Sequence, residues 1–194
     1  MSCNVRKLRT IEMNRLSVDE FKAAEKLPLI VVLDDVRSLY NIGSVFRTCD
    51  AFRVEAVYLC GITAKPPHHE IHKTALGAED SVSWHYFNTA VEAVEELQRN
   101  GYYVYAVEQV EGSTKAPLPP LSSLHSPLST LDSRLSSLHS FAVVLGNEVK
   151  GVHQDVVDLC DDCLEIPQFG TKHSMNVSVT AGIVIWEFAR QLLL

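Results

Sequence analysis

Apolar runs about five residues long recur along the chain, each stopped by polar residues or glycine, with segments of helical spacing between them. Residues 29–33 (Leu-Ile-Val-Val-Leu) are apolar without interruption, the pattern of a strand covered on both faces in a parallel sheet, and they stop at Asp34 and Asp35. Residues 54–60, 82–87, 102–107 and 141–145 repeat the pattern, the last ending in Gly146, Asn147 and Glu148. A turn opens a helix over residues 41–48, and a capped helix from about Thr89 to Arg99 is stopped by Asn100 and Gly101. Ser17 and Glu20 stand in capping-box register and begin a short amphipathic helix over residues 18–26. Strands alternating with helices predict an α/β fold with a mainly parallel sheet flanked by helices, whose ligands sit at the carboxyl ends of strands. Asn41, Gly146, Glu148 and the loop after Ile166 all fall at such ends.

The chain closes differently. After Ile166 it breaks at Pro167 and Gly170, and Ser174 or Asn176 is placed to cap a new helix. The helix that follows, with Val177, Val179, Ala181, Ile183, Val184, Ile185, Trp186 and Phe188, is apolar on nearly every side, which predicts enclosure by a core or between a core and a second subunit. Ser178, Thr180, Glu187 and Arg190 interrupt it too often for a membrane span.

With 194 residues the chain is expected to be one domain with a substantial core. A net charge of −7 argues against a general polyanion binder and leaves room for a local basic patch. Five scattered cysteines and no leading apolar segment predict a reducing, cytoplasmic setting without disulfides. Residues 116–140 interrupt the strand rhythm with two copies of Leu-Ser-Ser-Leu-His-Ser among four prolines, and are expected to form a mobile insertion between core strands.

No Gly-x-Gly-x-x-Gly or Gly-Lys-Ser/Thr run follows a strand, which removes the main support for a dinucleotide or phosphate-loop enzyme. Cys160 and Cys163 have zinc or redox spacing without a second ligand pair, so structural thiols are favoured. His68, Glu70 and His72 resemble a zinc helix, but the second histidine comes one residue early and the preceding Pro66 and Pro67 favour a loop, so no metal is expected. Three segments remain, each placing small or polar residues directly after an apolar strand: Asn41, Gly43 and Arg47; Gly146, Asn147, Glu148 and Gly151; and Ile166, Pro167, Ser174, Met175 and Asn176.

Together and in this order, these segments resemble the three signature motifs of the SpoU-type (TrmH) branch of the SPOUT RNA methyltransferases, over about residues 29–190 without the insertion. The resemblance implies a C-terminal trefoil knot, which chains normally avoid. It also implies S-adenosylmethionine as cofactor, a homodimer, and methylation of a ribose 2′-hydroxyl in tRNA or rRNA. On this reading residues 1–28 are an N-terminal helical extension and residues 29–194 the methyltransferase domain with its 116–140 insertion. Arg47, Asn41, Glu148, Ser174 and Asn176 match catalytic positions, with Ser178 beside them, and Leu145, Gly146, Ile166 and Met175 match cofactor-binding ones. Met175 replaces the usual leucine, a swap of similar volume. Arg6, Lys7, Arg9, Arg37 and Arg47 are the expected RNA-binding patch, and the absence of an added RNA-binding domain tilts the expectation to tRNA over rRNA. The competing expectation is a catalytically silent, dimeric RNA-binding relative of the same fold.

Overall fold

The computed structural model describes residues 6–119, 121 and 140–194, so most of the predicted insertion lies outside the described residues. Seven strands form one sheet: β1 (Leu27–Asp34), β2 (Val54–Cys60), β3 (Ser83–Phe87), β4 (Tyr103–Val107), β5 (Thr114–Lys115), β6 (Phe141–Leu145) and β7 (Asp162–Glu165). Their order is β3-β2-β1-β6-β4-β7-β5, and every neighbouring pair is parallel. The helices are α1 (Val18–Ala23), α2 (Leu39–Ala51), α3 (His69–Ala75), α4 (Ala78–Ser81), α5 (Ala90–Arg99), α6 (Gln154–Leu159) and α7 (Val177–Leu192). The expected α/β fold with a parallel, helix-flanked sheet is what forms.

Period-two alternation divides the strands between two cores. Leu29, Val31, Leu33, Val57, Leu59, Val143 and Leu145 face one side with α2, α3 and α7, while Ile30, Val32, Tyr58, Val104 and Val144 face the other with α5. In the first core, α7 places Phe188 with its ring 5.4 Å from that of Phe141 and 6.0 Å from that of Tyr105. Full burial of such a side chain contributes about 1.5–3 kcal/mol. Gly43 lets α2 lie directly on α3, since a Cβ there would meet the Ile71 carbonyl oxygen at 2.3 Å.

Several expectations need correction. Helix α1 keeps its capping box, with the Ser17 N–H donating to Glu20 Oε2 at 2.8 Å, but ends at Ala23 because Leu27 is already drawn into the sheet, its N–H donating to the Arg53 carbonyl at 2.8 Å. His69–Ala75 is helix, not loop. Proline restricts the residue before it and not those after it, so Pro67 is compatible with His68 as an N-cap whose Nδ1 accepts the Glu70 N–H. Helices α4 and α6 and strand β5 are absent from the sequence expectations. The first residues of the expected mobile insertion do bury surface: Leu118 and Leu121 are in the core, and their N–H groups donate to Glu187 Oε1 and Gln191 Oε1 of α7. Within the single chain α7 is not enclosed all round; Val179, Ile183 and Trp186 lie on an open stripe, with Trp186 47% exposed.

Candidate functional site

The carboxyl ends of the adjacent strands β6, β4 and β7 open into a cavity of about 470 Å³. Leu145 at the end of β6 with Gly146 and Glu148 beyond it, Val107 at the end of β4 with Glu108 beyond it, and Ile166, Ser174 and Met175 after β7 line it. The loop after β6 closes on itself, with the Asn147 N–H donating to the Gly151 carbonyl at 3.0 Å and the Gly151 N–H returning to Asn147 at 2.9 Å. Gly146 makes this fold-back possible, because a Cβ there would stand 2.0 Å from the Gly151 carbonyl carbon. Asn147 ties the loop to the sheet by donating its Nδ2 to the Asp35 carbonyl at 2.8 Å.

Behind the cavity wall a chain of side-chain hydrogen bonds joins the three segments that the sequence singled out. Asn176 caps α7, its Oδ1 accepting from the Ser178 N–H at 2.9 Å, and its Nδ2 donates to Asn41 Oδ1 at 3.1 Å. Asn41 Nδ2 in turn donates to Glu148 Oε1 at 3.0 Å. The Glu148 carboxylate also accepts the backbone N–H groups of Ser38 at 2.9 Å and Arg37 at 3.0 Å, at the head of α2. Burial works to raise the Glu148 carboxyl, but the Arg37 and Ser38 N–H groups and Asn41 outweigh it and hold it below the usual carboxylate range. A carboxylate at the head of a helix is also favoured by the helix dipole. Of the two candidate caps, Asn176 takes the role, which leaves Ser174 exposed at the cavity.

The other expected residues lie apart from this assembly. Arg47 is exposed on α2, about 9 Å along the axis from Asn41 at 1.5 Å per residue, and it is not part of the cavity lining. Among the described residues it has no hydrogen-bond or ion-pair partner. Arg37 is exposed at the head of α2. Arg6 donates to both oxygens of Glu12, at 2.8 and 2.9 Å, and Arg9 lies 3.6 Å from the same carboxylate. The Arg6 hydrogen bonds, followed by that from the Arg9 backbone, hold the Glu12 carboxyl down at about 2. Two of the three N-terminal cations of the expected patch are therefore already paired, and Lys7 is exposed.

Two features escaped the sequence reading. Glu108 and Gln109 line the cavity: Glu108 Oε2 accepts the Val152 N–H at 3.1 Å, and Gln109 Nε2 donates to the His173 carbonyl at 2.8 Å. The signal was available, since both follow an apolar strand just as the recognised segments do. The second is a clasp across the strand ends. His153 Nδ1 lies 2.9 Å from Oδ2 of the buried Asp34, and His153 Nε2 lies 3.7 Å from Asp35 Oδ2. The hydrogen bond with Asp34 and its charge raise the His153 pKa against the opposing effect of burial. Asp34 and His153 are 119 positions apart, so spacing alone could not join them. The described cysteines, Cys49, Cys60, Cys160 and Cys163, are all free, and burial pushes the Cys160 thiol up to about 12, which leaves it unreactive.

Open parallel sheets bind small ligands in this crevice, and the molecule belongs with the α/β proteins that hold an organic ligand over their strand ends. Its family is a narrower matter. Residues 28–186 match the SpoU rRNA Methylase family, and the chain belongs to that family, as its three motifs implied. It is 28% identical over 184 residues to a 23S rRNA guanosine 2′-O-methyltransferase of Vibrio vulnificus, covering 94% of this chain and 67% of that protein. The chain thus spans about two thirds of that relative's length. A TrmH/SpoU tRNA-modifying enzyme from A. aeolicus shares the fold with a TM-score of 0.71 and 24% identity, over 88% of this chain and 78% of that one. An AdoMet-bound rRNA methyltransferase from Sinorhizobium meliloti superposes with a TM-score of 0.69 and 26% identity, over 88% of this chain and 62% of that one.

Proposed function

We propose that the protein is an S-adenosylmethionine-dependent methyltransferase acting on a ribose 2′-hydroxyl of structured RNA. The observation that carries this reading is the Asn176–Asn41–Glu148 chain, which fastens three sequence-distant motif segments around one strand-end cavity. The family relationship, the 2′-O activity named for the Vibrio relative and the cofactor named in the Sinorhizobium structure support it.

The cavity suits the cofactor. Its volume of about 470 Å³ is in the usual range for a small organic ligand, and Glu108 in its lining offers a carboxylate to a positively charged sulfonium. Leu145, Gly146, Ile166 and Met175 would hold it. Among the described residues, the backbone of the 166–175 loop is bonded from outside through the His173 carbonyl, which accepts from Gln109 Nε2, and its amide N–H groups make no bond to the rest of the fold there. S-adenosylmethionine supplies an electrophilic methyl group when bound. The protein's part is to bring the ribose hydroxyl into line and to stabilise charge developing on its oxygen. Arg47 serves as a cationic donor to that oxygen or to the adjoining phosphate, because a guanidinium keeps its charge and makes a poor base. Ser174 and Asn176 orient the ribose.

The same reading includes a homodimer and a C-terminal knot, as the family resemblance implies. The open apolar stripe of Val179, Ile183 and Trp186 supports a second copy packed against α7. Arg47 stands clear of its own chain's cavity, and a second copy is the arrangement that would bring it to one. Either tRNA or rRNA remains a substrate on this reading, with tRNA the earlier expectation and 23S rRNA the substrate named for the Vibrio relative. A cytoplasmic setting is part of the same proposal, and among the described residues no helix is long and apolar enough to cross a membrane. Titration calorimetry with S-adenosylmethionine tests the reading. Saturable 1:1 binding is expected, and no binding would favour the catalytically silent RNA-binding relative.

A further inference from the structure

The loop between β7 and α7 carries the most exposed large apolar side chain of the described residues. Phe169 is 95% exposed, so it contributes nothing to folding through burial. Gln168 and His173, on either side of it in the loop, line the cavity, so Phe169 belongs to a loop that borders the cavity although it is not itself part of the lining. The loop after β6 also borders the cavity, with Val149, 80% exposed, and Lys150 both in its lining. Charge in the loop between β7 and α7 runs against that of the whole chain. Residues 166–176 contain Lys172 and no acidic residue, although the whole protein carries −7. Glu148 accepts the Arg37 and Ser38 N–H groups, so the backbone of the exposed Arg37 is held at the residue that precedes Val149 and Lys150.

A protein partner would call for a contiguous apolar patch. Here single apolar tips stand among polar and cationic residues, with Gln168, Thr171 and Lys172 around Phe169. An aromatic face surrounded by Lys and Arg is the chemistry that binds unpaired nucleotides, by stacking on the base and neutralising the flanking phosphates. A nucleotide in a single-stranded loop presents its 2′-hydroxyl together with an unstacked base, and an aromatic side chain can replace the stacking that base has lost.

We propose that Phe169 is the platform on which an unpaired base of the substrate RNA stacks, with Arg37, Lys150 and Lys172 holding the adjoining phosphates. The assignment rests on the methyltransferase reading for its substrate. It predicts a residue that acts on RNA and leaves the cofactor untouched.

The test compares wild type with Phe169→Ala, Phe169→Leu and Phe169→Trp. Three quantities are read: S-adenosylmethionine affinity by calorimetry, methyl transfer to total RNA from cells lacking the protein, and anisotropy of a labelled single-stranded RNA oligonucleotide. Loss of one stacked base should lower kcat/KM for RNA and oligonucleotide affinity by about tenfold or more in the Ala and Leu variants. Trp should restore both, and cofactor affinity and sedimentation should be unchanged throughout. Rescue by Leu would overturn the proposal in favour of plain apolar contact, and an equal loss of cofactor affinity in the Ala variant would make Phe169 part of the cofactor site. Altered sedimentation would make it an interface residue, and unchanged RNA binding would remove its role. A wild-type protein that binds the oligonucleotide through Phe169 yet transfers no methyl group overturns the enzymatic reading and upholds the platform; one that does neither overturns both.

Discussion

Glu148→Gln isolates the joint that holds the cavity together. Oε1 accepts from the Ser38 N–H and from Asn41 Nδ2, and Oε2 accepts from the Arg37 N–H, all at 2.9–3.0 Å. A glutamine offers one carbonyl oxygen and one NH₂, so at least one of the three donors must face another donor. A hydrogen bond to a charged group contributes about 1.5–3 kcal/mol net, and the Arg37 N–H at the exposed edge recovers part of its loss from water. One bond lost and two weakened amount to about 2 kcal/mol. For a domain of this size that corresponds to a fall in Tm of roughly 4–8 °C. The carboxyl lies below its ordinary value in the fold, so its contribution is complete above about 4.3 and is lost as the pH falls through the lowered folded value. Thermal unfolding followed by circular dichroism should therefore show the full gap at neutral pH and a shrinking gap under acid. Equal Tm values at pH 7, or a gap that persists undiminished in acid, would refute the idea that the carboxylate joins the two segments. S-adenosylmethionine affinity should fall with the joint, because the loop it anchors lines the cavity.

Gly146→Ala should abolish cofactor binding in calorimetry, since the added Cβ would overlap the Gly151 backbone and the fold-back could not close. Arg47→Ala should leave Tm and cofactor affinity unchanged and reduce methyl transfer by about a hundredfold or more, the scale of losing one donor to a developing oxyanion; near-normal turnover would remove Arg47 from the reaction. The His153 clasp makes the opposite pH prediction from Glu148. Its raised folded pKa means a contribution complete below about 6.5 and lost as the pH rises through the folded value. Urea midpoints of wild type and His153→Asn should converge as the pH rises above about 6.5, and a constant separation would show that the imidazole charge contributes nothing.

The centre of the sheet was legible because β1, β2 and β6 are apolar runs covered on both sides, as at residues 29–33, and the site was legible because polar residues follow such runs. What the pattern could not supply was contact across sequence distance. Asn41, Glu148 and Asn176 could be picked out one by one, but their direct hydrogen bonding exists only after β1 and β6 pair in register, Leu33 opposite Leu145. The Asp34–His153 clasp depends on the same pairing. Helix α3 was missed because two prolines were read as a barrier, when they only set the entry to a cap at His68. Helix α7 read as apolar all round because its sequence serves two surfaces. Ala181, Ile185 and Phe188 fill the core, while Val179, Ile183 and Trp186 remain open in the single chain. Arg47 was chosen through the family motif, and its distance from the cavity of its own chain could not be read from spacing.

The most direct test of the central claim follows the methyl group. The purified protein would be given tritiated S-adenosylmethionine and, separately, tRNA and rRNA from cells that lack it, and the labelled RNA would then be hydrolysed in alkali. A methyl on the 2′-oxygen blocks attack on the neighbouring phosphodiester, so the account predicts label in alkali-stable dinucleotides from one of the two RNA classes. Label in mononucleotides would mean base methylation, and no transfer to either RNA would mean no methyltransferase; both results would contradict it.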